Sequence, residues 1–345
     1  MKKNVVAFTE LPVVDVSGLL SKDEQEKLKV AHKLDEVAKS VGFFYVLGHG
    51  VSENRAKNLK NRAKDFFSLS EKSKMQYYIG NSDNHSGFVP MGEEVFYGNS
   101  DTIDAKESFD IGFEVTDSTR KTPVLGENQW PSLSGFRNDV QAYYDEVLRL
   151  GNLIFQGFAL GLGLKQNFFT KNITAPPSQL RLIHYFYDPN SPQDSPGIGA
   201  HTDYEFFTIL LPTSPGLQVL NGLGDWIDVP ILENSFVVNI GDMMEIATNG
   251  RYVATAHRVK KIDQERYAFP LFCNLDYDTI VAPIPELCQE IPPKYEPVHC
   301  GEHLVAQTIQ TFGYLKDRLR KSQIEMPKNA KNLSSFGNPK LKDVD

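Results

Sequence analysis

Cysteine is scarce in this chain. Cys273, Cys288 and Cys300 are its three thiols, an odd and widely spaced set in 345 residues. That excludes a disulfide framework and is the pattern of free thiols in a reducing compartment. A cytoplasmic location is expected, the more so because no apolar leader follows Met1-Lys2-Lys3-Asn4. Long apolar runs are missing as well. A spanning helix needs about 18 to 20 consecutive apolar residues, and the best stretch, Leu150 to Leu164, is interrupted by Gln156 and several glycines. No membrane partner is expected. Cations are in deficit: 36 Lys and Arg against 44 Asp and Glu leave a net charge of −8. A surface that tracks phosphate needs clustered cations. The two basic runs, Lys60 to Lys64 and Lys316 to Lys321, carry their charges at helical spacing, as solvated faces do. No nucleic-acid partner is expected. Internal repeats and low-complexity tracts are also lacking.

What remains is an ordinary globular composition, 41% apolar and 23% charged, long enough for one large core with decoration. A monomer or weak oligomer is expected. Ser21-Lys22-Asp23-Glu24 reads as a capping box opening a helix that runs to about Ser40. Phe43 to Leu47 reads as a strand, Glu53 to Phe67 as a helix, and Glu71 to Tyr77 as a short one. Gly80 to Glu114, rich in Gly, Asn, Asp and aromatics, reads as a loop. A long amphipathic helix is predicted over Gly135 to Leu164, with Val140, Tyr144, Val147, Leu148, Leu150 and Phe155 inward. From Gln179 to about Asp278 short apolar runs alternate with turn signals such as Ser214-Pro215-Gly216 and Asn249-Gly250. That spacing suits antiparallel hairpins closing into a two-sheet jelly roll, the double-stranded β-helix architecture also found in cupins. Glu302 to Arg320 reads as one last helix. The fold class is therefore mainly β with α: a jelly-roll core flanked by N-terminal and C-terminal helices. Its expected divisions are 1–120, an N-terminal helical and mixed region; 121–178, a supporting long helix; 179–280, the catalytic core; and 281–345, a C-terminal helix and tail.

The chemistry is concentrated in His201-Thr202-Asp203 and in His257. Two imidazoles and one carboxylate are the donor set that holds non-haem iron(II) on one face, leaving positions open for O2 and a second substrate. Side chains two apart on a strand share a face, so His201 and Asp203 are expected at the mouth of a strand, aimed at one metal. A run that could suggest zinc, His299-Cys300-Gly301-Glu302-His303, lacks a fourth partner at zinc spacing. His49 and His184 belong to no multi-donor set.

Several motifs occur in a fixed order: Gly199-Ala200-His201-Thr202-Asp203-Tyr204, Gly216-Leu217-Gln218-Val219, Trp226-Ile227-Asp228-Val229-Pro230, Val237-Val238-Asn239-Ile240-Gly241-Asp242, His257-Arg258-Val259 and Arg266-Tyr267-Ala268. With Leu11-Pro12-Val13-Val14-Asp15 and Val41-Gly42-Phe43-Phe44-Tyr45-Val46-Leu47-Gly48-His49-Gly50 before them, the series resembles the iron(II)- and 2-oxoglutarate-dependent dioxygenase superfamily, in the branch that contains isopenicillin N synthase. The likeness runs roughly from Leu11 to Leu319, and the joint order is far more specific than any single motif.

The resemblance implies Fe(II) held by His201, Asp203 and His257, with 2-oxoglutarate as co-substrate and O2 as oxidant. It also implies that Arg266 binds the far carboxylate of 2-oxoglutarate, for which a planar, permanently charged fork of donors is suited. The residue that aligns with the family's co-substrate tyrosine is Tyr185. The chain departs from the family twice: Ala268 stands where a serine is usual, and Ile183 where an asparagine is frequent. Both remove polar groups from the expected carboxylate pocket. The segment Gly80 to Glu114 is implied to approach the substrate. The activity implied is oxidation, by default hydroxylation, of a small organic molecule, with release of succinate and CO2. One alternative is an oxidase of the isopenicillin N synthase type that does not use 2-oxoglutarate. The other is a non-catalytic ligand-binding protein on the same scaffold.

Overall fold

The computed structural model describes residues 7–95, 104–187, 197–261 and 264–328; positions 96–103 of the expected Gly80–Glu114 loop and 329–345 of the expected tail lie outside them. In chain order the strands are β1 (Val13–Asp15), β2 (Phe43–Leu47), β3 (Gly87–Val89), β4 (Lys106–Gly112), β5 (Gln179–Tyr185), β6 (Ile198–His201), β7 (Phe207–Pro212), β8 (Leu217–Leu220), β9 (Trp226–Asp228), β10 (Phe236–Ile240), β11 (His257–Val259) and β12 (Arg266–Cys273). Eight of them form one sheet in the order β1-β2-β10-β7-β12-β5-β4-β3, and four form a second in the order β6-β11-β8-β9. Every pairing is antiparallel except β1 with β2. The two sheets are the walls of the jelly roll, and a cavity lies between them.

Strand alternation decides what faces that cavity. Arg181, Ile183 and Tyr185 of β5, Thr208 and Leu210 of β7, and Arg266, Ala268, Pro270 and Phe272 of β12 all line it. The residues between them point the other way, toward the helices: His184 and Tyr267 meet Phe67, and Phe207 reaches the long helix. There Phe207 meets Phe155 at 4.6 Å between ring centroids and Phe158 at 5.5 Å. Phe272 thus faces the cavity and Phe207 the core.

The helices are α1 (Glu24–Ser40), α2 (Glu53–Phe67), α3 (Glu71–Lys74), α4 (Phe136–Gly161), α5 (Asp242–Ala247), α6 (Cys300–Thr311) and α7 (Gly313–Arg320). The predicted apolar stripe of α4 is buried against the larger sheet, except for the half-buried Leu148, and α1 and α2 pack on its flanks. Each fully buried Leu, Ile or Phe of such a stripe contributes about 1.5–3 kcal/mol. The start of α1 differs from expectation: Asp23, not Ser21, is the cap and accepts the Gln25 amide at 2.9 Å, while Ser21 Oγ accepts the Asp23 amide at 3.1 Å.

Two larger differences come from long-range pairing. Within the segment read as a loop, Lys106 to Gly112 forms β4 and pairs along the whole of β5. The expected last helix is two helices, broken at Phe312, whose backbone is extended. At the break the Thr311 carbonyl accepts the Val95 amide (2.9 Å) and Gly313 donates to the Glu93 carbonyl (2.8 Å), so the chain leaves the helix to make a bridge with residues 93–95.

Candidate metal centre

His201 is the last residue of β6 and His257 the first of β11, and the two are directly opposite in the antiparallel pair. Their ring centroids are 4.3 Å apart. Asp203 is not on the strand, as alternation suggested, but two residues past its end, where the chain turns. The turn brings Asp203 Oδ1 to 3.5 Å from His201 Nε2 and 3.6 Å from His257 Nε2. One ligand atom from each residue lies within 4.8 Å of the others, the one such trio of His, Cys, Asp or Glu among the described residues.

The hydrogen bonds behind these atoms fix which lone pairs face the centre. His201 Nδ1 lies 2.9 Å from the Gly199 carbonyl oxygen, and His257 Nδ1 lies 3.4 Å from that of Thr255. A carbonyl can only accept, so each Nδ1 carries a proton, and in the neutral ring it is Nε2 that presents the lone pair. Oδ2 of Asp203 accepts from the Thr208 hydroxyl and from Asn239 Nδ2 (2.8 Å), leaving Oδ1 for the centre. Burial acts to raise the Asp203 carboxyl, but the two imidazoles and the Asn239 amide prevail and hold it well below the usual carboxylate range. Burial, aided by the neighbouring His201, pushes His257 down to about 4 against the pull of Asp203. At neutral pH the set is therefore one carboxylate with His257 neutral, the protonation state a divalent cation requires.

Arg266 and Tyr185 are also directly opposite each other, on β12 and β5. The guanidinium lies over the Tyr185 ring at 4.5 Å, and both residues are 1% exposed. Arg266 is thus no surface arginine. Glu265, beside it in sequence, meets His184 (2.9 Å) and accepts from the Tyr267 hydroxyl (3.2 Å). Arg266 Nε donates to the Ser214 carbonyl at 3.3 Å, while Nη1 is buried with no hydrogen-bond partner among the described residues. Around it, Ile183, Ile198, Val259 and Ala268 form an apolar cluster. A buried, unpaired guanidinium nitrogen in an apolar pocket fits a carboxylate ligand.

Other polar groups in the cavity were not singled out from sequence. Asn239 and Thr208 are cross-strand partners on β10 and β7, and both serve Asp203; the signal was present, since Asn239 is the one polar residue in Phe236–Ile240. Arg181 donates to Asp110 through Nε (3.0 Å) and Nη2 (2.9 Å) and to Glu94 through Nη1 (2.8 Å), and Glu94 also pairs with Lys106. Two cations and two carboxylates thus balance at one end of the cavity. The run set aside as a zinc site from its spacing holds no such set among the described residues: the His299 side chain caps α6, accepting the Glu302 amide at 3.3 Å.

Comparison with known proteins agrees with this geometry. Residues 11–133 match the family described as non-haem dioxygenase in morphine synthesis N-terminal, and residues 177–275 match the 2OG-Fe(II) oxygenase superfamily. The chain is 30% identical over 323 residues to the homoarginine-6-hydroxylase 2-ODD-233 of Oryza sativa subsp. japonica, covering 88% of this chain and 98% of that protein. It is 31% identical over 327 residues to the homoarginine-6-hydroxylase 2-ODD-C23 of Glycine max, with the same coverage. A full-length Neurospora crassa protein crystallised in complex with alpha-KG superposes with a TM-score of 0.76 at 28% identity, covering 89% of this chain and 98% of that one. With a jelly roll, a His-Asp-His cluster at its mouth and these relatives, the chain belongs to the 2OG-Fe(II) oxygenase superfamily and is a non-haem Fe(II)- and 2-oxoglutarate-dependent oxygenase.

Proposed function

We propose that His201, Asp203 and His257 hold the iron, that Arg266 and Tyr185 bind the far carboxylate of 2-oxoglutarate, and that the enzyme hydroxylates a small organic molecule. The observation that carries this reading is the convergence of three donor atoms, each on a side chain held by a further hydrogen bond, at the mouth of a cavity whose inner wall holds an unpaired guanidinium nitrogen. Iron(II) bound there supplies the coupling of two oxidations by one O2: 2-oxoglutarate loses CO2 to become succinate, and a substrate C–H becomes C–OH.

The chain's own residues orient the reactants. The Gly199 and Thr255 carbonyls keep both imidazoles in the tautomer that offers Nε2. Thr208 and Asn239 hold the carboxylate so that one oxygen faces inward. Tyr185 stacks on the guanidinium and limits its rotation. Arg181, Glu94 and Lys106 offer polar groups to the substrate, with Asp110 behind them pairing Arg181, and Phe272 offers an apolar surface. Small organic substrates are in keeping with the relatives, among them the N. crassa protein, also crystallised with alpha-KG and thymine, and JOX2, crystallised with 2OG, Fe and JA.

The test is direct. His201→Ala and Asp203→Ala are expected to retain the fold but to lose iron and succinate release by more than the roughly 10–100-fold that removal of an outer hydrogen-bond partner causes. Normal iron content in either variant would refute the ligand assignment. Substrate-driven O2 uptake without consumption of 2-oxoglutarate would instead identify the isopenicillin N synthase type of oxidase.

A further inference from the structure

The carboxylate pocket lacks two polar groups usual in its family, since position 268 is alanine and position 183 is isoleucine, and these two residues are cross-strand partners beside Tyr185 and Arg266. The register of β7 against β12 shows what stands nearby. Phe272 is opposite Thr208, Pro270 opposite Leu210 and Ala268 opposite Pro212. The ladder ends there: the Thr213 amide still donates to the Tyr267 carbonyl at 3.3 Å, but the Tyr267 amide donates to the Thr213 hydroxyl, and the chain bends away. At that bend Arg266 Nε donates to the Ser214 carbonyl at 3.3 Å, so Ser214 is in direct contact with the guanidinium that lines the cavity.

Ser214 Oγ is buried and has no hydrogen-bond partner among the described residues, and the same holds for Nη1 of Arg266. A buried polar atom left unpaired is destabilising. Two such atoms on residues in direct contact, in surroundings that Ile183 and Ala268 make apolar, are both satisfied by one ligand that accepts from each. A guanidinium only donates, and a hydroxyl can donate. The partner that satisfies both is an anion with two acceptor oxygens.

We infer that the Ser214 hydroxyl, with Arg266, receives the far carboxylate of 2-oxoglutarate, in place of the hydroxyl that a serine at 268 would provide. The inference rests on the reading that Arg266 binds this co-substrate, and it makes Ser214 a second residue, beside Arg266, that favours a dicarboxylic 2-oxo acid over a monocarboxylic one.

Isothermal titration of the Mn(II)-loaded protein with 2-oxoglutarate, and separately with 2-oxobutyrate, which has no second carboxylate, tests it without any turnover. In Ser214→Ala the Kd for 2-oxoglutarate is expected to rise about tenfold, the size of one hydrogen bond to a charged group. The Kd for 2-oxobutyrate should not move. Adding Ala268→Ser to that variant should recover most of the loss, because it returns a hydroxyl to the same carboxylate from the neighbouring strand. Unchanged 2-oxoglutarate affinity in Ser214→Ala overturns the inference, as does an equal loss for both acids, which would make Ser214 a residue of the β7–β8 turn only. If the unaltered protein binds no 2-oxoglutarate at all, the reading of Arg266 fails with it, so the two failures are told apart by the control.

Discussion

The two oxygens of Asp203 have different partners, and that division makes a single carboxylate a directed ligand. Oδ2 is saturated by Thr208 and Asn239, so Oδ1 is the one that faces the imidazoles. Asn239→Ala removes one donor and frees the carboxylate to rotate. It is expected to weaken Fe(II) binding by about 10–100-fold, the usual effect of losing an outer partner of a metal ligand. Thr208→Val, which keeps the shape of the side chain and loses only its hydroxyl, should do the same more mildly. Metal titration of the two variants checks this, and wild-type affinity in both would remove these residues from the centre. At this scale the three clustered donors were legible and their supports were not. Two histidines and an aspartate in family order declare themselves through donor chemistry. Asn239 matters only because β10 places it opposite Thr208, and that register is a property of the folded sheet. Arg181 is similar, for its meaning comes from Asp110 and Glu94, 71 and 87 residues away.

The short helix α5 holds the turn that carries Asp203. The Asp203 carbonyl accepts the Asp242 amide at 2.8 Å, the Glu205 carbonyl accepts the Met243 amide at 3.2 Å, and the Phe206 carbonyl accepts the Gly241 amide at 2.9 Å. The first amides of a helix have no partner within it, so the ligand turn and the helix start satisfy each other. Close approach is possible because residue 241 has no side chain: a Cβ there would fall 2.2 Å from the Glu205 carbonyl oxygen and 3.1 Å from that of Asp203. Gly241→Ala must push the turn away. It is expected to destabilise the protein by about 1–3 kcal/mol, the range for overpacking, and to reduce iron occupancy in the protein that remains folded. Thermal melting with metal analysis reads both, and an unchanged iron content would show that the turn adapts without moving Asp203. Elements with strong local signals, such as α2 and β2, have the bounds their sequences suggest. The misread ones are those set by distant partners: β4, which is a strand because β5 lies beside it, and the break at Phe312, made by residues 93–95.

For the molecule as a whole, turn spacing was enough to indicate a jelly roll, whereas the extension of its larger sheet by β1 to β4 depends on pairings that no local pattern encodes. That extension buries charge. Glu94, Lys106, Asp110 and Arg181 meet where β4, β5 and the bridge to Phe312 converge, and His85 lies against them, its Nδ1 2.7 Å from the Tyr314 hydroxyl and its ring on Phe312. Burial, with the positive charge of Arg181 added and Glu94 in opposition, lowers His85 to about 3. Burial acts to raise Glu94, but Arg181 and Lys106 prevail and bring it to about 2. An unfolded histidine titrates near about 6.5 and an unfolded glutamate near about 4.3. Between its two values each group is protonated in the unfolded chain and not in the native one, so acid favours unfolding. The His85 contribution is complete above roughly pH 6.5 and is lost as pH falls from there toward 3; that of Glu94 is lost between roughly pH 4.3 and 2. The melting temperature of the iron-loaded protein is therefore expected to hold above neutrality, to fall from about pH 6.5, and to fall more steeply below about pH 4.5. His85→Gln keeps a polar partner for Tyr314 but cannot take up a proton, so its melting curve should be flatter than that of the unaltered protein between about pH 6.5 and 5. Parallel curves for the two proteins over that interval would mean that His85 is not held neutral in the fold.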